Sequence, residues 1–366
     1  MSNINFDQRL SRLENRRKGI DLTYSFDSLN EGITSYHEFN NLKASKENWQ
    51  TISNKKSIRY VAGAMQEVGK RYTEISIETA IRIQKQLEPK LLNTYGIETV
   101  CRLQGSVPLN VHIKGVSDVD LLILDKYHYR SEKNLEQFRS NDIKILNNLR
   151  SICIHELKKS YPAAKVDSGG AKCITLSGGS LPRDVDIIPS HWVETIEYKN
   201  ENKIYQRGVN ILDSKTPSTL MNLPFKHIYL VDFRCKYLTD GNLKKSIRLC
   251  KTVKADLIEE GQKIYLSSFD LASIMYHANT SNLKKGRNYA LAIVLETQRF
   301  FDYLYHNPTE RQFLYTPDNS RRIFDTKDKE DSLLFMSIAL DNLVKELLKD
   351  IDWTFNAGLN YFPLAI

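Results

Sequence analysis

At 366 residues the chain is longer than one ordinary domain, which predicts two lobes, each able to bury its own core. Its composition, 41% hydrophobic and 26% charged, is that of a globular protein, and no apolar run approaches the roughly 20 residues that span a bilayer. That excludes a helical membrane protein, and the formal charge of +8 favours polyanionic partners, a preference that nucleotides meet as well as nucleic acid does.

The beginning, MSNINFDQRLSRLENRRKG, is charged throughout and lacks an apolar segment, so no secretory signal is expected and the protein reads as cytoplasmic. Residues 1–56 are polar and weakly periodic, and are expected to form an N-terminal arm laid over the surface. Cys101, Cys153, Cys173, Cys235 and Cys250 are far apart, with no CxxC and no neighbouring histidine pair. They read as packed, reduced thiols rather than as a zinc site or a disulfide framework.

Residues 57–215 read as a mixed α/β (α+β) lobe. Ile77, Ala80, Ile83 and Leu87 recur at helical spacing, with Ser76 as the expected N-cap and Pro89 as the expected stop. Ser117–Leu124 is a short apolar run that fits a strand. A second helix carries Ile143, Leu146, Leu149, Cys153 and Leu157 and ends at Tyr161-Pro162. Two further strands, Ala171–Leu176 and Asp184–Pro189, are joined through a turn containing Gly178-Gly179. Residues 216–366 change character. Helical patterns occupy about 217–238, 242–258, 268–279, 287–306 and 329–349, with Pro217 at a first helical position and Gly241 and Gly286 as separators. The second lobe is therefore mainly helical, and the active site is expected in the cleft between the lobes.

Side chains two apart on a strand share a face, so Asp118 and Asp120 point together while Val119, Leu121 and Ile123 point away. Asp184 and Asp186 repeat this arrangement. If the two strands are neighbours, about 4.8 Å apart, their carboxylates converge. Clustered carboxylates repel unless a cation sits among them. Magnesium suits such a site, because it takes a few carboxylates together with phosphate oxygens, and two ions about 4 Å apart can hold the attacking and leaving oxygens of an in-line displacement. Upstream, Gln104-Gly105-Ser106 reads as a small-residue turn that brings backbone N–H groups and a hydroxyl close to phosphates. The acid pair alone is unspecific. Gly-Ser, then the eleven residues 107–117, then Asp-x-Asp on an apolar strand and a later acid on another, is far more specific.

Those segments, LQGSVPLNVHIKGVSDVDLLIL and RDVDIIPS, resemble the nucleotidyltransferase superfamily that includes DNA polymerase β, poly(A) polymerase and oligoadenylate synthase. The strongest likeness is to the cGAS/DncV-like enzymes (CD-NTases) of bacterial CBASS antiphage systems. The resemblance implies that Gly105 and Ser106 hold a donor triphosphate and that Asp118, Asp120 and Asp186 bind two Mg²⁺ ions, with Mn²⁺ as a substitute. Asp186 is chosen over Asp184 because the family's third acid precedes a short apolar stretch ending in proline, as Asp186 precedes Pro189. Arg248–Val253 and the segment from Leu266 resemble the family's lysine helix and downstream serine, which implies triphosphate contacts from Lys251 and Ser268.

The resemblance further implies synthesis of a cyclic di- or trinucleotide messenger from nucleoside triphosphates, with a separately encoded effector as its receiver and a monomeric enzyme. The animal sensors' zinc-and-DNA insertion has no counterpart, so no requirement for double-stranded DNA is expected. A transferase acting on RNA or tRNA, or one making linear oligonucleotides, would share the chemistry. A silent nucleotide-binding scaffold is disfavoured by the complete set of acids. His112 is expected to pack rather than act as a base, and Tyr127, Tyr129, Tyr265 and Tyr276 are candidates to stack on a nucleobase.

Overall fold

The computed structural model describes residues 4–18 and 47–351. Its helices are α1 (Phe6–Lys18), α2 (Lys56–Met65), α3 (Lys70–Tyr95), α4 (Leu135–Ser160), α5 (Ile196–Glu201), α6 (Pro224–Leu238), α7 (Asn242–Glu259), α8 (Ser268–Tyr276), α9 (Thr280–Lys284), α10 (Ala290–His306), α11 (Pro308–Gln312) and α12 (Lys327–Asp350). The strands are β1 (Thr99–Gln104), β2 (Val119–Ser131), β3 (Ala164–Asp167), β4 (Ile174–Gly178), β5 (Val185–Glu194), β6 (Gly208–Asp213) and β7 (Ser218–Asn222). They form one mixed sheet in the order β1-β2-β5-β4-β3, with β6 also paired to β5 and β7 to β6. The expected mixed sheet followed by a helical region is what the chain forms, and no described helix is long and apolar enough to cross a membrane.

Alternation along β2 builds two cores. Val119, Leu121 and Ile123 face α3 and α4, where they meet Ala80, Ile83, Leu87, Leu149 and Cys153. Leu122 and Leu124 face the other way and pack with Ile188, Trp192, Val209 and Ile211. β5 runs parallel to β2 and serves two partners on its other edge, β4 opposite Val185–Ile187 and β6 opposite Ser190–Val193. Pro189, which has no N–H to donate, falls in the gap between those partners, and this is how a central strand tolerates a proline.

Several elements differ from expectation for identifiable reasons. Ser76 lies inside α3, not at its start, and its hydroxyl bonds the Tyr72 carbonyl one turn back at 2.9 Å. Pro89 does not end α3. Its ring is exposed while Leu87 and Leu91 on either side are buried, and two such burials, about 1.5–3 kcal/mol each, outweigh the roughly 3 kcal/mol cost of an interior proline. Pro217 does not start a helix, because residues 218–222 form the edge strand β7 and Pro224 takes the first position of α6. Strands β1, β3, β6 and β7 lie outside the expected set.

The expected arm contains α1, which is not laid over the surface. Leu10 and Leu13 are buried in the helical core with Trp49, Tyr60, Ile247 and Leu257. Three arginines of α1 are buried as well: Arg9 forms paired 2.9 Å bonds to Glu260, Arg16 meets Asp256, and Arg17 meets Glu47. α2 joins the same core through Ile58, Tyr60, Val61 and Met65. Of the rest of the arm, residues 47–56 are described and carry Trp49 into this core, and residues 1–3 and 19–46 lie outside the described residues.

Candidate active site

β2 and β5 bring the acids together. Their parallel register sets Asp120 directly opposite Asp186, and the Val119 N–H donates to the Asp184 carbonyl at 3.3 Å just before both strands begin. Asp118, one residue ahead of β2, therefore sits at the same end of the sheet. Thr175 of β4 lies opposite Asp186 on its other side and donates its hydroxyl to Asp186 Oδ1 at 2.6 Å. β1 adds the turn: Gln104 pairs with Asp120, so Gly105 emerges beside that carboxylate. Gly105 has φ of +78°, and a Cβ there would lie 2.1 Å from Asp120 Oδ2. Any side chain at this position would fill the space against the acid. Ser106 follows, with its carbonyl accepting the Val111 N–H at 3.0 Å.

The acids are electrostatically unsatisfied. Asp118 is exposed, yet partial desolvation at the end of the sheet, then the charges of Asp186 and Asp184, raise it to about 6. Asp120 is raised to about 7 by burial and then by Asp186 and Asp118. Burial also raises Asp184. Two cations act on the cluster, but both are committed elsewhere. Arg183, which favours the ionised form of Asp118, donates to the Tyr72 hydroxyl and the Ser117 carbonyl. Lys251, which favours ionised Asp120, donates to the Val111 carbonyl at 2.9 Å and the Ser117 hydroxyl at 3.1 Å. Carboxylates held close together without ion pairs of their own fit a divalent cation, and at Gly105 the backbone meets the Asp120 carboxylate with no side chain between them.

The expected phosphate contacts from the helical lobe divide. Lys251 is only 4% exposed, and burial lowers its ammonium to about 7. Here it supports residues 111–117, the segment that leads into Asp118, instead of offering a free charge to solvent. Ser268 is exposed at the first position of α8. The N-cap is its neighbour Ser267, whose hydroxyl accepts the Asp270 N–H at 3.0 Å within a capping box. His112 is buried against Thr73 at 3.0 Å, and burial followed by the charge of Lys251 lowers it to about 3, so it packs as a neutral ring.

Tyr127 and Tyr129 are exposed near the opposite end of β2, and the Tyr127 hydroxyl is given to Glu98. Tyr276 lies under the Arg234 guanidinium, and Tyr265 is exposed. A cavity of about 1040 Å³ lies elsewhere, lined by Trp49, Met65, Glu67, Lys244 and Arg248, and contains none of the acids.

Thr175, Arg183 and Ser117 were not singled out from the sequence. Arg183 carried a signal, a guanidinium adjacent to Asp184-x-Asp186. Thr175 carried none, because its partner is set by the β4–β5 register.

A family model described as the cGAS/DncV-like nucleotidyltransferase C-terminal helical domain matches residues 235–343. The chain is 38% identical over 362 residues to a cyclic dinucleotide synthase CdnE of Yersinia aleksiciae, spanning 96% of this chain and 94% of that protein. It is 30% identical over 304 residues to a c-di-GMP synthase of Capnocytophaga granulosa, spanning 75% of this chain and 83% of that one. The solved structure of a STING-associated CdnE c-di-GMP synthase from Capnocytophaga granulosa matches with a TM-score of 0.70 at 26% identity, covering 94% of this chain and 99% of that chain. With the sheet, the helical lobe and near full-length similarity in agreement, the chain belongs to the cGAS/DncV-like nucleotidyltransferase family and is a nucleotidyltransferase.

Proposed function

We propose that the protein is a Mg²⁺-dependent synthase that condenses two nucleoside triphosphates into a cyclic dinucleotide messenger for antiphage signalling, releasing pyrophosphate. The observation that carries this reading is the convergence of Asp118, Asp120 and Asp186 beside the open backbone of Gly105. Asp118, Asp120 and Asp186 hold two ions, which when bound offset the negative charge of acids and phosphates alike. Gly105 and Ser106 offer backbone N–H groups and a hydroxyl to the β- and γ-phosphates of the donor. Asp186, its carboxylate oriented by Thr175, accepts the proton of the ribose hydroxyl that attacks the α-phosphorus, and pyrophosphate leaves. Two such transfers close the ring. The printed activities of the relatives, a cyclic dinucleotide synthase and a c-di-GMP synthase, support a dinucleotide product, and the STING-associated neighbour supports a separate effector that receives it.

The test is to incubate pure protein with Mg²⁺ and each labelled nucleoside triphosphate, alone and mixed, then treat the products with phosphatase. Label that survives phosphatase and migrates as a cyclic dinucleotide is expected. Labelled product that phosphatase degrades completely would replace cyclisation with linear synthesis, and no incorporation under any mixture would remove the proposed activity itself.

A further inference from the structure

A second group of ionisable side chains lies toward the other end of the same two strands. Pairing between β2 and β5 jumps from Asp125 opposite His191 to Tyr129 opposite Trp192, leaving 126–128 as a bulge. Asp125 Oδ1 accepts the N–H groups of Tyr127 and His128, each at 3.0 Å, which fixes the bulge and turns His128 inward. His128 Nε2 then lies 3.0 Å from Oδ1 of Asp142 on α4, and His191 Nε2 lies 3.5 Å from Oδ2 of the same carboxylate. The two imidazoles meet edge to face, with centroids 4.8 Å apart. All three ligand atoms lie within 4.8 Å of one another, and among the described residues no other such trio occurs. His191 is five residues along β5 from Asp186, about 16 Å at 3.3 Å per residue, so this group is separate from the three acids.

Asp142 is wholly buried, yet its Oδ2 has no hydrogen-bond partner. Leaving a buried carboxylate oxygen bare is costly, and here it faces a nitrogen that also offers a lone pair. His191 Nδ1 is 3.0 Å from the Trp192 carbonyl, so the ring proton belongs there and Nε2 is the acceptor, as the Asn210 amide 3.1 Å away also indicates. Arg130 donates to Asp142 Oδ1 at 2.9 Å, on the oxygen turned away from His191.

We propose that His128, Asp142 and His191 form a structural site for a zinc-class divalent ion that clips α4 to the β2 bulge and β5. Two imidazoles and one carboxylate select zinc over magnesium. Ligands about 2.0–2.1 Å from a tetrahedral zinc are about 3.3 Å apart, and the two imidazoles lie 3.0 Å from Oδ1 and 3.5 Å from Oδ2 of Asp142, so a carboxylate that faces the ion with both oxygens keeps each histidine near that separation. The Trp192 carbonyl on His191 and Arg130 on Asp142 supply the outer contacts that orient metal ligands. Rotation of the Asn210 amide would bring Oδ1 toward the same point as a fourth donor. The three ligands are scattered at 128, 142 and 191, so no ligand spacing marks them in the sequence.

The experiment uses full-length protein carrying Asp118→Asn and Asp120→Asn, so that the acid cluster does not take up the probe ion. After stripping with chelator and dialysis against Zn²⁺, about one ion per chain should remain, resist millimolar Mg²⁺ and raise the thermal midpoint. Co²⁺ in its place should give the intense visible bands of a tetrahedral site. Adding His128→Gln, a half-buried change whose folding is checked by circular dichroism, should weaken zinc binding at least tenfold and abolish the Co²⁺ bands. Zinc held equally with and without His128→Gln, or no zinc retained by either protein, overturns the site.

Discussion

Two clusters of acids in this molecule, one buried and one partly exposed, are built on opposite plans. In the helical core, Asp256 is fully buried and surrounded by its own partners, Arg16 on one oxygen and the Tyr60 hydroxyl on the other, with Arg9 and Glu260 alongside. Burial still pushes the Asp256 carboxyl up, and Arg16 and Tyr60 oppose it. At the sheet end, burial and the charge of Asp186 raise Asp118 and Asp120, and the cations within range are bonded to hydroxyl and carbonyl groups instead. An acid paired by the chain itself is structural. Acids that the chain gathers and leaves in mutual repulsion store unfavourable energy that an outside cation relieves, and this difference is the ground on which we propose the second cluster as the site of chemistry.

The sharpest way to break that contrast is to neutralise each cluster in turn. Asp118→Asn with Asp120→Asn should cost at least about a thousandfold in nucleotide incorporation, corresponding to several kcal/mol of lost charge stabilisation, while leaving chemical-denaturation stability unchanged or higher. Asp256→Asn should do the reverse to the fold, costing about 3–5 kcal/mol of stability because Arg16 is left buried beside a neutral side chain. An Asp118→Asn/Asp120→Asn protein that unfolds readily, or an Asp256→Asn protein as stable as the parent, would erase the distinction.

A gentler probe is pH. Asp118 and Asp120 are raised to about 6 and about 7 in the fold from an unfolded value of about 3.9. Between those values the folded chain binds more protons than the unfolded one, so their contribution to stability is fully present below about pH 4 and is lost as pH rises through 6 to 7. In chelator, the thermal midpoint should therefore fall across this window. Magnesium should raise it more at pH 8 than at pH 5.5, and the double Asn variant should show neither slope. The smallest expected effect belongs to Thr175→Val, which removes one hydroxyl from Asp186. A bond to a carboxylate contributes about 1.5 kcal/mol, so half-maximal activity should need about tenfold more Mg²⁺. An unchanged Mg²⁺ titration would mean that Thr175 does not position the acid.

Much of the sheet end was legible because it is written locally. Asp-x-Asp on an apolar run fixes which faces the acids and the core residues take, and Val119, Leu121 and Ile123 lie in the core opposite the acids as alternation requires. The principal helices of the second lobe were legible from apolar periodicity. What could not be read depends on distant partners. α1 has little apolar periodicity because half of its buried contact is arginine, and the acids that neutralise Arg9 and Arg16 lie 251 and 240 residues away. β7 is an edge strand with the polar sequence STLMN, and β1 shows no clean alternation of burial. The expected phosphate role of Lys251 rested on the likeness of Arg248–Val253 to the family's lysine helix, and its contacts in the fold, to the Val111 carbonyl and Ser117 hydroxyl, are set by how two distant segments meet.

The placement of α1 has a consequence for the order of assembly. Its buried arginines wait for Asp256 and Glu260, and at about 5–20 residues per second a ribosome needs on the order of 10–50 s to supply them. The sheet and its acids, complete by residue 222, can pair while α1 is still without its counter-charges. The Arg16 carbonyl lies so close to Gly115 that a Cβ there would be 2.6 Å away, so the segment leading into Asp118 gains its final support only when α1 docks. The strands that carry the acids are complete in sequence before the partners of α1, so segment 111–117 is expected to gain its support from α1 after those strands have paired.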